Sequence, residues 1–120
     1  MSNASKGSFY EGFVLENLQA QGYALVKQNY RSSRGEIDLI MYDKGFSPEV
    51  LVFIEVKYRS SERFGNALES VTAGKRQKIL QAANAFLMKH PHAGPCRFDV
   101  VGVSGSRQLT HIKNAFSSLG

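Results

Sequence analysis

Two periodicities divide the chain. In residues 9–21, Val14, Leu15 and Leu18 recur at the spacing of one helix face, and Gly22 reads as the C-cap. "YALVKQNY" (23–30) then reads as a strand, "RSSRG" as a turn and "EIDLIMYD" (36–43) as a second strand. "KGFSP" carries turn residues and leads into a third strand, "EVLVFIEVKY" (49–58). The second and third strands are close in sequence, which predicts an antiparallel hairpin. After a loop through "RSSERFGN", the segment "AGKRQKILQAANAFLMKH" (73–90) returns to helical spacing, with Ile79, Ala83, Phe86 and Leu87 on one side. "PHAGP" ends it, because proline cannot continue a helix. "RFDVVGV" (97–103) is a fourth strand, and "LTHIKNAF" (109–116) is a candidate edge strand. The order predicts an α/β domain with a mixed sheet flanked by helices. Residues 1–8 are read as a disordered N-terminus or partial tag, 9–116 as one domain and 117–120 as a tail.

Alternation along the third strand isolates its charges. Leu51, Phe53, Glu55, Lys57 and Arg59 share one face; Val50, Val52, Ile54, Val56 and Tyr58 share the other. In the second strand Asp38 is expected on the face of Ile40 and Tyr42. Charges within such apolar runs are costly unless paired, metal-bound or neutralised. In the first helix, Glu11 falls within about 60° of Val14, Leu15 and Leu18, inside the apolar stripe. Glu16 lies about 140° from Glu11, towards solvent. A glutamate on the packing face needs a reason that one on the wet face does not.

Composition narrows the setting. At 120 residues, with 42% hydrophobic and 21% charged positions, the chain has room for one domain with its own core. No apolar run reaches the roughly 18 residues of a membrane span, and no signal-peptide h-region opens the chain. The single cysteine, Cys96, excludes an internal disulfide and a cysteine-built zinc site, and a cytoplasmic setting is the default reading. Net charge is +5. Most of the excess lies in 57–78, where Lys57, Arg59, Arg63, Lys75, Arg76 and Lys78 face only Glu62 and Glu69. Such a segment suits a polyanion such as nucleic acid; a solvated surface is the plainer reading.

The acids add chemistry to that charge. If Asp38, Glu55 and Glu11 converge, one lysine does not neutralise them. A hard divalent cation with oxygen ligands does, and Mg²⁺ is the natural choice, with Mn²⁺ as a substitute. The metal would polarise a scissile phosphate, while Lys57 holds a water or stabilises the transition state. On Glu-x-Lys alone, a structural ion pair is the simpler reading.

The combination "GEIDLI" (35–40), "VFIEVKYRS" (52–60) and "FG" (64–65) resembles the YraN family. "LQAQGYALVKQNYR", "VTAGKRQKILQAANAFL" and "RFDVVGV" extend the likeness to nearly the whole chain, from Tyr10 to Phe116. The resemblance implies a restriction-endonuclease-like, three-layer α/β/α fold with a central mixed sheet in the order α-β-β-β-α-β(-β). That fold is similar to archaeal Holliday junction resolvases. It implies an Asp…Glu-x-Lys nuclease site, with Asp38, Glu55 and Lys57 catalytic, Glu11 as the helical acid and the Val56 backbone carbonyl completing the metal shell. One departure is that Asp38 follows "GEI", not the proline that names the superfamily motif.

The reading that results is a metal-dependent endonuclease hydrolysing phosphodiesters in DNA, with branched DNA such as Holliday junctions among its substrates. The alternatives are a nucleic-acid-binding module without turnover, and a scaffold whose acids only form ion pairs. Resolvases act as dimers, which makes a homodimer one partner option, although no dimer interface is legible in the sequence. Arg59 is the best phosphate contact by face, followed by Arg34, Lys75 and Arg63. Lys75 points inward, about 40° from Ile79. Gly35 is expected to permit a special backbone angle. Arg76 and Lys78 read as solvated surface, His90 and His92 as non-ligands, His111 as strand surface and Cys96 as packing. Asp99 is expected to fix a turn or pair with a basic neighbour. Phe64 and Gly65 are read as shaping the loop beside the site.

Overall fold

Five strands form one sheet in chain order, with a helix on each face. The computed structural model describes residues 3–59 and 71–117; of 3–8 and Arg59 it describes the backbone alone. The elements are α1 (Asn3–Ala20), β1 (Tyr23–Ser32), β2 (Gly35–Asp43), β3 (Val50–Arg59), α2 (Ala73–Lys89), β4 (Cys96–Ser104) and β5 (Leu109–Phe116). The sheet order is β1-β2-β3-β4-β5. Antiparallel pairing joins β1 to β2, β2 to β3 and β4 to β5. β3 and β4 are parallel, so the chain needs a crossover, and α2 provides it. The predicted hairpin and the predicted edge strand, β5, are therefore present.

Each helix covers one face because each presents an apolar stripe. Val14 and Leu18 of α1 pack with Leu39, Met41, Val52, Ile54 and Val101. On the other face, Ile79, Ala82, Ala83 and Phe86 of α2 pack with Ile40, Leu51, Phe53 and Val100. Phe53, Phe98 and Phe116 stack in a row across β3, β4 and β5, at 5.3 and 5.2 Å between ring centres. Fully burying a side chain of this size contributes roughly 1.5–3 kcal/mol. The two layers therefore hold β3 rigidly from both sides.

Element boundaries differ at informative places. α1 begins at Asn3 rather than residue 9, because its apolar stripe starts only in the second half. Gly22 has φ +98°, the left-handed geometry expected of a C-cap glycine. β1 and β2 run on to a tight connection, with Ser32 paired to Gly35. The Ser32 hydroxyl accepts the Arg34 N–H and bonds the Gly35 carbonyl, each at 3.2 Å. Gly35 needs space, not an unusual angle: its φ is not positive, but a Cβ there would lie 2.5 Å from the Lys78 carbonyl oxygen. The missing side chain lets the start of β2 press against α2. Arg63, Phe64 and Gly65 fall outside the described residues. Among those described, no helix is long and apolar enough to cross a membrane.

Candidate acidic cleft where β2 and β3 part

The candidate site begins where a ladder ends. β2 and β3 pair from Asp43–Val50 as far as Leu39–Ile54, one step short of Asp38 and Glu55. There the Val56 N–H donates to Asp38 Oδ2 at 2.7 Å, so a carboxylate takes the place of a backbone acceptor. Regular alternation also breaks: Ile37 and Ile40 both join the α2-side core, while Leu39 joins the α1-side core. Across β1, between the pairs Gln28–Leu39 and Tyr30–Ile37, Asn29 adopts φ 52°. Asp38 therefore does not simply share a face with Ile40 and Tyr42. It sits at a switch in the strand and turns its carboxylate towards β3. Beyond this point β2 stays with β1 and β3 stays with β4, and a cleft opens between them.

The side chains around the cleft fall into three groups. The acids form its floor. Glu55 and Lys57 are same-face neighbours as predicted, with Oε2 and Nζ 3.2 Å apart and the side chains only 17% and 15% exposed. Burial, then the Glu55 charge, push the Asp38 carboxyl up to about 8; a hydrogen bond with Glu55 and the Glu11 charge add to the rise, and the Val56 N–H opposes it. Glu11 reaches in from α1, and its Oε1 is buried with no hydrogen-bond partner. Burial and the charges of Glu55 and Glu36 raise the Glu11 carboxyl, with the Asn29 side chain offsetting part of the rise. Glu16 is exposed, so the helical rotation distinguished the two glutamates correctly.

Cations and aromatics occupy the remaining lining of this cleft of about 800 Å³. Arg34 and Lys75 line it as expected. Arg31 and Lys78 line it too; Lys78 is exposed, as its reading as a solvated surface cation required, but the place of both on the cleft was not legible in the sequence. The Arg59 side chain and Arg63 lie outside the described residues. Tyr10 and Tyr58 line the α1 side and stack at 4.4 Å between ring centres.

The three acids meet electrostatically but do not close up. Among the described residues, no three of His, Cys, Asp and Glu gather as a group that holds a metal ion. The expected set of Asp38, Glu55 and Glu11 is thus not assembled as a compact trio. Val56 engages Asp38, which also hydrogen-bonds Glu55, and Lys57 engages Glu55. Two unit charges about 4 Å apart interact by roughly 4 kcal/mol at an effective dielectric near 20. The donor chemistry nevertheless suits a hard cation, being all oxygen, with one buried oxygen still lacking a donor.

A second charged cluster, centred on Arg97, was not foreseen. Arg97 donates from Nε and Nη2 to both oxygens of Asp99, at 2.9 and 3.0 Å, and from Nη1 to Asp43 Oδ2 at 3.1 Å. It also reaches the Tyr23 hydroxyl at 2.9 Å. Asp99 further meets His111 Nε2 at 2.7 Å and accepts the Asn114 N–H at 3.0 Å. Asp99 thus pairs with basic neighbours, as one of its two expected roles required. His111 is half-buried in this network rather than strand surface. Cys96, expected to pack, is exposed. Arg76 is half-buried, with Nε donating to the Val71 carbonyl at 3.1 Å and its guanidinium over Phe116. His90 caps α2 through its N–H to the Phe86 carbonyl, and His92 lies 3.2 Å from the Pro95 carbonyl oxygen.

The architecture and cleft define a class: a small α/β domain whose five-stranded mixed sheet parts around half-buried carboxylates and a lysine. Residues 10–103 match the model of a family described as "Uncharacterised protein family UPF0102". A UPF0102 protein of Pseudomonas putida strain GB-1 is 45% identical, over 92% of this chain and 91% of its own length. One from Legionella pneumophila strain Corby is 44% identical, over 94% and 95%. One from Nitrosomonas europaea is 44% identical, over 97% and 98%. The chain belongs to the UPF0102 family, the family that the "GEIDLI" and "VFIEVKYRS" motifs resemble.

Proposed function

We propose that this protein is a metal-dependent endonuclease that hydrolyses DNA phosphodiesters, built on a restriction-endonuclease-like fold. One observation carries the reading: two half-buried carboxyls, Asp38 and Glu55, share a cleft with Lys57, and the cleft is rimmed by Arg31, Arg34, Lys75 and Lys78. Acids crowded together at a basic rim suit a cation together with a polyanion, because each compensates the other. Asp38, Glu55 and the Val56 carbonyl would hold Mg²⁺ or Mn²⁺, and Glu11 adds its unpartnered oxygen as an acceptor close by. When bound, the metal supplies Lewis-acid polarisation of the phosphate and a more acidic water.

The chain's own residues then have separate tasks. Lys57 leaves Glu55 and turns its ammonium to the phosphate, where negative charge builds in the transition state. Arg34 and Lys75, together with Arg59 at the end of β3 and Arg63 later in the chain, would hold the flanking phosphates. α2, packed directly on Gly35, fixes the distance between the cationic rim and the acid floor. A second reading, a nucleic-acid-binding module without turnover, is favoured by one observation: Glu55 and Lys57 are paired with each other.

Cleavage of labelled single-stranded, duplex, flap and four-way DNA with Mg²⁺ or Mn²⁺ tests the proposal. Wild type is expected to cut, and Asp38→Asn and Lys57→Ala to lose on the order of 10³-fold, the scale of a lost electrostatic stabiliser. Equal cutting by the variants overturns the assignment. Binding that survives EDTA with no turnover moves the protein to the second reading.

A further inference from the structure

We propose that the cleft accepts an unpaired nucleotide, whose base stacks on the Tyr10–Tyr58 pair while its phosphates meet the cations opposite. This rests on the nuclease reading and names the substrate class of the same site. Tyr10 and Tyr58 come from different elements, α1 and β3, and each adjoins a residue of the acid floor, Glu11 and Lys57. Their rings lie 4.4 Å apart at 27°, both half-buried and both lining the cleft. Phe9, 49% exposed, meets Tyr10 edge-on at 5.1 Å, and the Arg107 guanidinium lies 5.2 Å from the Phe9 ring centre. Aromatic surface thus continues from the cleft to the outside of α1 and ends in a cation.

The opposite side is chemically different. Arg31 comes from the end of β1, Arg34 from the β1–β2 connection and Lys75 and Lys78 from α2, and among the described residues the cleft has no aromatic ring on that side. An intact duplex offers a cleft phosphates, sugars and base edges but no base face, because its bases are stacked within the helix. Aromatic rings beside a cationic rim match a strand whose base is free to leave the stack. A cleft of about 800 Å³ is also on the scale of sites that enclose a small ligand, such as one nucleotide. The substrate class is therefore nucleic acid with single-stranded character at the scissile phosphate.

The experiment uses the full chain with Ca²⁺ in place of Mg²⁺ and an oligonucleotide carrying 2-aminopurine, both single-stranded and annealed to its complement. Wild type is expected to quench the single-stranded probe on binding. Tyr58→Leu should weaken single-strand binding about 10-fold and duplex binding less than about two-fold, while Tyr58→Phe keeps the quench. The duplex arm reports folding of each variant. Equal losses on both probes, or none, make the tyrosines part of the core alone and overturn the inference, leaving the Asp38 and Lys57 cleavage result to stand by itself. If Tyr58→Leu does not fold, wild type decides: a bound single strand without quenching overturns the inference. No binding and no cutting of any probe by wild type overturns both readings.

Discussion

The two charged clusters of this domain hold the same kinds of residue in opposite states. In the Arg97 cluster both oxygens of each acid have donors: Asp43 has the Gly45 N–H and Arg97, and Asp99 has Arg97, His111 and the Asn114 N–H. In the cleft, Glu11 keeps a buried oxygen without a partner, and Asp38 lies against another acid. Burial acts to raise all four carboxyls. For Asp99 it is outweighed by hydrogen bonds from His111, Arg97 and Asn114, and for Asp43 by those from Gly45 and Arg97, so both fall below the usual carboxylate range. For Asp38 and Glu11 burial wins and neighbouring acids add to it. A buried acid alone therefore says little about function. The direction in which its neighbours push it separates the satisfied Arg97 cluster from the cleft proposed as the metal site.

The sharpest way to break this contrast is Arg97→Ala. It leaves Asp43 and Asp99 without their shared cation, and breaking a buried pair in this way costs about 3–5 kcal/mol. Urea unfolding at neutral pH is expected to register that loss. A change below about 1 kcal/mol would mean the cluster is no more structural than the cleft.

Next in size is a pH effect of opposite sign in the two places. A carboxyl raised in the folded chain binds a proton that the unfolded chain has released. Asp38 therefore costs stability progressively as pH rises from about 4 to about 8 in EDTA. Asp99 and Asp43 do the reverse: their contribution is full above the ordinary carboxylate range and is lost as pH falls through it. Asp38→Asn keeps an acceptor for the Val56 N–H and removes the charge. It is expected to be more stable than wild type by on the order of 2 kcal/mol at pH 8.5 without divalent cations, and indistinguishable near pH 4. Thermal melts across that range in EDTA check both halves, and a variant no more stable than wild type at pH 8.5 would refute the cleft's strain.

Gly35→Ala is expected to cost about 1–3 kcal/mol, since its Cβ meets the backbone of Lys78, which cannot swing aside. Chemical denaturation measures it, and an unchanged midpoint would show that β2 and α2 are not in firm contact. Smallest is Arg31→Ala. Its pair with Glu36 is 80% and 63% exposed, so unfolding should shift by no more than about 0.5 kcal/mol.

Much of the layout was legible because it follows from short-range periodicity. Alternation placed Glu55 and Lys57 on one face of β3, and the helical rotation turned Glu11 inward and Glu16 outward. The hairpin, the second helix and the edge strand followed from spacing and turn residues. What stayed hidden depends on contacts distant in sequence. Arg97 and Asp99 look ordinary on their strand until Asp43, at a separation of 54 residues, completes the set. Gly35 offers no cue that its neighbour is the Lys78 carbonyl rather than a turn angle. Asp38 was assigned to a regular strand, and the local break beside Asn29 has no periodic signature. The tyrosine pair joins α1 to β3, and neither residue signals the other.

The sheet's connectivity has a consequence for the order in which the molecule assembles. Asp38 and Glu55 sit on neighbouring strands joined by a short loop, with Asp43 already opposite Val50. The Arg97 cluster needs β4, which reaches β3 only after the long crossover that sets Leu51 beside Cys96. Closing a short loop costs less chain entropy than closing a long one, and nearby pairings form first. The mutually repelling acids are thus brought together early, while the satisfied network locks in late. A refolding chain therefore brings its crowded acids together before its main electrostatic anchor forms.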